Sequence, residues 1–245
     1  MAIKSVNNNS GEKILNTELN KTPFAIVESY KNLRTNLISI LSKNNGKVLA
    51  ISSSNAAEGK STTSLNIAIT LSQLNKKVVI LDTDARKPSI HKKVKISNNT
   101  GCMDVLLETH TINDVVIHYN NFLDVIPSGA KVKNPSELFS TPAFDKLLTD
   151  LQERYDFVIL DTPPINVVSD TLIIAQKVDA LVMVIRAGVT KYEAFEYAYD
   201  SLKVLDIELD GIIINGSSGK SGYYSKNKFR YYRYENQQNL NKWIK

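Results

Sequence analysis

The chain of 245 residues has one cysteine and no long apolar run. A single cysteine, Cys102, excludes an intrachain disulfide and is typical of a reducing compartment. The longest uninterrupted apolar stretch, residues 180–185, is far shorter than the ~20 residues that span a bilayer. The N-terminal residues also lack the apolar core of a secretory signal. We therefore expect a cytoplasmic protein without disulfides or a membrane-spanning helix.

Histidine is also scarce, and its three copies do not share the spacing of a metal site. His91, His110 and His118 are well separated from one another and from the cysteine. Zinc sites usually show closely spaced pairs of these residue types. We therefore expect no histidine- or cysteine-based metal centre.

The formal net charge of +5 is concentrated at the C-terminus. Residues 217–245 contain seven Lys or Arg and one Glu, which gives +6 and leaves −1 for residues 1–216. The same segment holds five of the eleven tyrosines and few aliphatic residues, so it cannot bury a core. From the residues alone it is either a featureless flexible tail or a surface for single-stranded nucleic acid or an anionic membrane.

Residues 47–66, KVLAISSSNAAEGKSTTSLN, are the most informative stretch. An apolar, β-branched run leads through a small polar turn into a helix-compatible segment. Such a turn directs backbone N–H groups and a helix N-terminus at one point, where a polyphosphate is stabilised. In this interpretation Lys60 reaches the β- and γ-phosphates of ATP, and the Ser61 hydroxyl binds Mg²⁺.

This loop departs from the strict pattern G-x-x-x-x-G-K-[ST] at its first position. Ser54 stands where the pattern has glycine. A plain helix start with Gly59 as its turn residue is the alternative. The predicted nucleotide-binding residues of the loop are Ser54, Asn55, Ala56, Ala57, Glu58, Gly59, Lys60, Ser61 and Thr62.

Two further apolar runs end in carboxylates. VVILDTDARKP contains Asp82, Asp84 and Arg86, and DFVILDTPP contains Asp161. Such runs suit central strands of a parallel sheet, and the carboxyl ends of those strands line the ligand crevice. A single aspartate at a strand end is often only a turn residue. Two strands that end in carboxylates and a third that ends in the phosphate-binding loop instead predict an ATP and Mg²⁺ site, with Ser61, Asp84 and Asp161 as metal ligands.

Apolar runs alternate with helical segments along the chain, which predicts a doubly wound, mostly parallel α/β fold with helices on both faces of the sheet. We expect a flexible segment 1–20, one P-loop domain over 21–216 and a flexible tail 217–245. The predicted strands are 48–51, 78–82, 122–126, 157–161, 180–185 and 211–214. The predicted helices are 23–41, 60–74, 100–108, 135–154, 168–176 and 190–205, and 85–99 is predicted to be a basic loop.

The three motifs together resemble the bacterial tyrosine kinases (BY-kinases), which are P-loop enzymes. The resemblance runs from about residue 24 to the C-terminus and covers the Walker A loop, the D-x-D-x-R motif after the second apolar run, and the Walker B aspartate. It implies an ATP-dependent protein-tyrosine kinase of capsular or extracellular polysaccharide synthesis. The implied catalytic residues are Lys60, Asp82, Asp84, Arg86 and Asp161. Asp82 is the expected acceptor of the tyrosine proton, although it could exchange roles with Asp84.

The resemblance also implies an oligomer. In the family, E-x-x-R-x-x-R on the first helix docks one subunit onto the next in a ring, and this chain has Glu28, Lys31 and Arg34. Lys31 replaces the middle arginine, and lysine cannot make a planar bidentate bond to a carboxylate. The alternative is a solvated helix face with an intrahelical Glu–Lys pair.

The C-terminal tyrosines of the family are its autophosphorylation sites. By resemblance, the acceptors here are Tyr223, Tyr224, Tyr231, Tyr232 and Tyr234, which are phosphorylated in trans within the oligomer. The family further implies a membrane adaptor on a separate chain, protein tyrosine substrates, a cognate phosphatase and recruitment to the inner face of the plasma membrane. We expect no nucleic-acid partner.

Two strand ends are candidate contacts of the nucleotide base. Asn215 follows the last apolar run, where the resembled fold reads the adenine edge with an asparagine, and Arg186 closes the preceding run. The alternative for Asn215 is an ordinary turn residue.

Two other functions are possible for such a chain. One is a switch ATPase of the septum-positioning or partitioning type, which carries a signature lysine where this chain has Asn55. The other is a non-catalytic nucleotide-binding regulator of polysaccharide synthesis, and the intact Lys60, Asp82, Asp84 and Asp161 argue against it.

Overall fold

The computed structural model describes residues 24–216. The predictions for residues 1–20 and for the tail 217–245, including its five tyrosines, lie outside this range. Residue 23, the first of the predicted helix 23–41, lies outside it as well.

The described residues contain a seven-stranded sheet in the order β3-β4-β2-β5-β1-β6-β7. Every neighbouring pair is parallel except β3 with β4. This confirms the predicted doubly wound, mostly parallel sheet, while the antiparallel edge strand β3 was not predicted. The strands are β1 Val48–Ser53, β2 Val78–Asp82, β3 Ile117–Asn120, β4 Leu123–Ile126, β5 Phe157–Asp161, β6 Ala180–Arg186 and β7 Gly211–Asn215.

Helices cover both faces of this sheet. In the described part of the chain they are α1 Phe24–Lys43, α2 Lys60–Ser72, α3 Ile90–Val94, α4 Cys102–Leu106, α5 Ile112–Val115, α6 Pro135–Phe139, α7 Pro142–Arg154, α8 Asp170–Ala175 and α9 Tyr192–Val204. Side chains of β1 alternate between two cores, because successive residues of a strand point to opposite faces. Leu49 and Ile51 join the core under α1 and α2, and Val48 and Ala50 join the other core.

The predicted helix over 135–154 is wrong, because it is two helices. Thr141 has an extended backbone, with φ −81° and ψ 157°, between α6 and α7. The ring of Pro142 disfavours a helical conformation at the residue before it and removes one N–H donor. Pro142 therefore ends the first helix and opens the second.

The prediction of a loop over 85–99 is also wrong in part. Residues Ile90–Val94 form α3, and Ile90 has no exposed surface. Lys95 ends this helix in the left-handed region, with φ +56°. Buried Ile90 and Val94 anchor the basic segment to the core under α2, where the charge pattern alone suggested an irregular loop.

The topology brings the predicted motifs to one edge of the sheet. β5 lies between β1 and β2, and Asp82 pairs in register with Asp161. The loop after β1 leads directly into α2. Because parallel strands end at the same edge, both aspartates and this loop share one crevice.

Candidate functional site

The loop between β1 and α2 has the backbone geometry of an anion cradle. Gly59 lies in the left-handed region, with φ +95°, and a Cβ at this position would overlap the side-chain amide of Asn215. No side chain in the described residues caps the N-terminus of α2. The first N–H groups of this helix are therefore left for a ligand, and they favour a negatively charged one.

The other loop residues differ in exposure. Ser54 and Glu58 are buried, Asn55 is half-buried, and Ala56 and Ala57 are exposed. Ala57 also lies in the left-handed region, with φ +66°. The loop therefore presents backbone and two small side chains to solvent, which leaves room for a ligand to approach closely.

Lys60, Ser61 and Asp161 come together at the start of α2. The Lys60 ammonium donates to Asp161 Oδ1 at 2.9 Å and to Ser61 Oγ at 3.2 Å. Lys60 is 7% exposed, and Asp161 is fully buried. Ser64, which the sequence did not single out, donates from its hydroxyl to the same Asp161 oxygen at 2.9 Å.

The donor set at this point fits a magnesium ion that is bound with a nucleotide. Asp161 Oδ2 is buried and has no hydrogen-bond partner in the described part of the chain, and the Ser61 hydroxyl lies nearby. No group of three or more His, Cys, Asp or Glu residues within 24–216 is arranged to hold a metal by itself. Mg²⁺ needs no such cage, because it is usually bound by one or two protein oxygens, phosphates and water.

Asp82 is enclosed at the end of β2. Its side chain has no exposed surface, and Oδ2 accepts the backbone N–H groups of Ser89 and Ile90 at 2.8 and 2.9 Å. Burial, together with the Asp161 charge, raises the pKa of Asp82 from 3.8 to about 7. The two N–H donors and Lys60 oppose this rise. A carboxyl group with a pKa near neutrality suits proton transfer.

Asp84 lies closer to solvent than Asp82. It is 8% exposed, and its Oδ1 accepts the backbone N–H of Lys87 at 3.0 Å. The backbone N–H of Asp84 in turn points at Asp82 Oδ1, at 3.3 Å. The two carboxylates are therefore held in one tight turn, with Asp84 on its accessible side.

Arg86 forms a fork with a residue that the sequence did not single out. Its Nε and one terminal nitrogen donate to the two oxygens of Asp170, at 3.1 and 3.3 Å. Asp170 is fully buried at the start of α8, whereas the Arg86 side chain is 41% exposed. The hydrogen bonds to Asp170 raise the pKa of Arg86. This pair joins the turn after β2 to the segment that follows β5.

Arg186 and Asn215 both contact the backbone of the loop. An Arg186 guanidinium nitrogen donates to the Ala57 carbonyl at 3.3 Å, and the Asn215 amide donates to the Glu58 carbonyl at 2.9 Å. Both residues therefore border the cradle on the side of β6 and β7.

The three residues of α1 that the family resemblance assigns to the ring interface, Glu28, Lys31 and Arg34, make contacts within the chain. Lys31 pairs with Glu28 at 2.7 Å, one turn away on the same helix. Arg34 donates to the Thr70 carbonyl at 2.8 Å. If α2 continued, the Leu74 N–H would donate to the Thr70 carbonyl, but it donates to the Leu71 carbonyl instead. Arg34 thus caps the last turn of α2.

Within residues 24–216, no helix combines the length and the apolar character that crossing a bilayer requires.

Comparisons with known proteins agree with this geometry. A family model described as an AAA domain matches residues 46–192. The tyrosine-protein kinase YwqD of Bacillus subtilis is 36% identical over 202 residues, which are 80% of this chain and 85% of that protein. The kinase domain of the Escherichia coli tyrosine kinase ETK superposes with a TM-score of 0.76 at 28% identity, over 81% of this chain and 78% of that one.

A partitioning protein is a more distant neighbour. The plasmid partition protein of Borrelia burgdorferi has a TM-score of 0.59 at 24% identity, over 76% of this chain and 85% of that one. This likeness shows a shared fold and no more. The kinase relatives instead agree with the resemblance of the motifs, and the chain therefore belongs to the bacterial tyrosine kinases, the BY-kinases.

Proposed function

We propose that this kinase transfers the γ-phosphoryl group of ATP to tyrosines of its own C-terminal tail and of other proteins. The proposal rests above all on the uncapped N-terminus of α2, with Lys60 and Asp161 beside it. Phosphoryl transfer needs mainly positioning and neutralisation of charge. A helix N-terminus, a lysine and a magnesium ion supply both.

Each residue of the site has a proposed role. Lys60 binds the β- and γ-phosphates. Ser61 and Asp161 hold Mg²⁺, with Asp161 acting through a water molecule and Asp84 as a further metal-site carboxylate. Asp82 takes the tyrosine proton, for which its raised pKa is suited.

The base and the loop also have proposed contacts. Arg186 and Asn215 border the adenine, and residues 54–62 surround the phosphates. Arg86 is bonded to Asp170 and thereby stabilises the turn that holds Asp82 and Asp84.

The tail is the proposed acceptor of the phosphoryl group. It carries Tyr223, Tyr224, Tyr231, Tyr232 and Tyr234, and its formal charge is +6. Its positive charge favours approach to a site where ATP and three carboxylates concentrate negative charge. Transfer occurs in trans within a ring that uses Glu28, Lys31 and Arg34.

The domain spans residues 21–216, between a short N-terminal segment and this tail.

The cellular setting follows from the family. The kinase acts at the inner face of the plasma membrane through an adaptor on a separate chain, and a cognate phosphatase reverses its modification. The kinase and its adaptor together regulate capsular or extracellular polysaccharide synthesis.

Intact mass spectrometry tests the proposed function. Purified protein incubated with Mg²⁺ and ATP should gain multiples of one phosphoryl mass, and a tyrosine phosphatase should remove them. Lys60→Met should abolish the gain while the protein stays folded by circular dichroism. Lys76→Met, an exposed lysine in the turn before β2, is the matched control and should behave like the parent. Undiminished labelling of Lys60→Met would overturn the assignment of transfer to this site.

A further inference from the structure

Glu58 places a buried carboxylate inside the phosphate-binding loop. The residue is 2% exposed and stands two positions before Lys60. A negative charge so close to bound phosphates repels them, and burying it costs free energy unless hydrogen bonds compensate. The contacts of this carboxylate indicate what offsets that cost.

One carboxylate oxygen closes the loop on itself. Glu58 Oε2 accepts the backbone N–H of Asn55 at 3.0 Å. The residues on either side of Glu58, Ala57 and Gly59, are both in the left-handed region. Two such residues make a tight turn that free chain rarely adopts, since the left-handed region is disfavoured for alanine. The Glu58–Asn55 bond therefore holds the loop in an otherwise sparsely populated shape.

The other carboxylate oxygen reaches a different segment of the chain. Glu58 Oε1 accepts the Thr190 hydroxyl at 2.6 Å. The same Thr190 oxygen accepts the backbone N–H of Arg186 at 2.8 Å, and Thr190 N–H bonds to the Arg186 carbonyl at 2.9 Å. The turn after β6 is thereby fastened to the loop after β1, 132 residues earlier in the chain.

Two backbone carbonyls of the loop accept hydrogen bonds from residues at the ends of β6 and β7. Arg186 donates to the Ala57 carbonyl, and Asn215 donates to the Glu58 carbonyl. The two residues proposed to border the adenine thus hold the backbone of the phosphate cradle directly. Glu58 and Thr190 link these contacts to the internal bond of the loop.

We propose that Glu58 and Thr190 form a clasp of two positioning residues, which preforms the phosphate-binding loop and couples it to the base-binding side of the site. Neither touches the reacting atoms. A carboxylate suits this role because each of its oxygens accepts one donor at the same time, the Asn55 N–H and the Thr190 O–H. The inference rests on the nucleotide binding proposed above.

The clasp predicts that removing either member has the same consequence. Glu58→Ala removes both bonds, and Thr190→Val keeps the shape of threonine but deletes the hydroxyl. In nucleotide-free protein, hydrogen exchange at the Asn55 amide should become about tenfold faster in both variants, the scale of one lost hydrogen bond. Thr190→Ser retains the hydroxyl and should restore protection. Thr149→Val, on the exposed side of α7, should match the parent.

Nucleotide binding gives the second readout. Mg-ADP affinity by calorimetry should fall about tenfold in Glu58→Ala and in Thr190→Val, and the double variant should be no worse than Glu58→Ala alone. The KM for ATP should rise more than kcat falls. Parental exchange and affinity in Thr190→Val, or additive losses in the double variant, would overturn the clasp. A parent that binds ADP but phosphorylates no tyrosine would overturn the proposed function and leave the clasp standing.

Discussion

Asp161 uses its two carboxylate oxygens differently. Oδ1 accepts the Lys60 ammonium at 2.9 Å, while Oδ2 is buried without a hydrogen-bond partner among the described residues. Breaking a buried ion pair costs several kcal/mol when one member is left uncompensated. If Lys60 turns towards phosphates as proposed, Asp161 must gain another cation, and a Mg²⁺ ion that arrives with the nucleotide would meet this need.

Magnesium removal should therefore weaken nucleotide binding through Asp161. In EDTA, the affinity of the parent for ADP should fall at least ~10-fold, because Lys60 then leaves a buried carboxylate uncompensated. Asp161→Asn removes that charge and should lose much less affinity on chelation. Calorimetry with and without Mg²⁺ measures the difference. Equal sensitivity of parent and variant would contradict the exchange of partners.

Asp82 and Asp84 can be assigned by separate substitutions. If Asp82 is the base, Asp82→Asn should slow tyrosine phosphorylation by at least ~100-fold and leave ADP binding intact. Asp84→Asn should instead weaken the dependence on Mg²⁺. Single-turnover labelling and calorimetry on both variants distinguish the roles. A mild effect at Asp82 together with a severe one at Asp84 would exchange them.

Asp82 should also make stability depend on pH. Its pKa is about 7 in the folded protein, against an ordinary value of 3.8, so the folded form holds more protons than the unfolded chain between these values. The contribution of Asp82 to the free energy of unfolding therefore falls as pH rises from about 4 to 7, by on the order of 2–4 kcal/mol. Urea unfolding of metal-free protein at pH 5 and pH 8 measures this loss. The carboxyl of Asp82 faces Asp161, Lys60 and two backbone N–H groups. The Asp82→Asn variant should lose less stability between the two pH values than the parent. Equal losses in parent and variant would contradict titration of Asp82 in this range.

Ring assembly is tested on α1. Charge reversal at both Glu28 and Arg34 should give smaller species by light scattering and slower phosphorylation in trans. Arg34 also caps α2 at Thr70, so its substitution changes the fold locally as well. Glu28→Lys leaves that cap intact and removes only the half-buried Glu28–Lys31 pair within α1, which contributes ~0.3 kcal/mol, so it is the cleaner variant. If Glu28→Lys and the double variant both keep the parental mass and rate, these residues have no role in ring assembly.

Phosphorylation of the tail should act as a charge switch. Each phosphotyrosine adds about −1.5 to −2 charges at pH 7, so five would take the tail from +6 to about −2 to −4. A basic tail is attracted to a neighbouring site, and a phosphorylated tail is repelled. The unphosphorylated protein should therefore form the ring and the multiply phosphorylated protein should become monomeric, more sharply at low ionic strength.

Native mass spectrometry measures this switch. Replacing all five tail tyrosines with phenylalanine should preserve the ring even with ATP present. A fully phosphorylated form as stably oligomeric as the phenylalanine variant would contradict the switch.

The sequence by itself determined the parallel strands of the sheet and the location of the candidate site. Buried strands such as β2 and β5 appear as continuous apolar runs, and the polar residues that follow them mark one edge of a parallel sheet. For this reason the sequence alone predicts that Lys60, Ser61 and Asp161 lie close together. The signal for the break before Pro142 was also present, since the residue before proline disfavours helix.

The tertiary structure alone decided which residues hold this site in place. Asp170 pairs with Arg86 across 84 positions, and Thr190 pairs with Glu58 across 132. No local pattern marks such partners, because an aspartate or threonine in a turn looks the same whether it faces solvent or another loop. Packing of the strands brings these loops together, and burial then makes each hydrogen bond costly to lose.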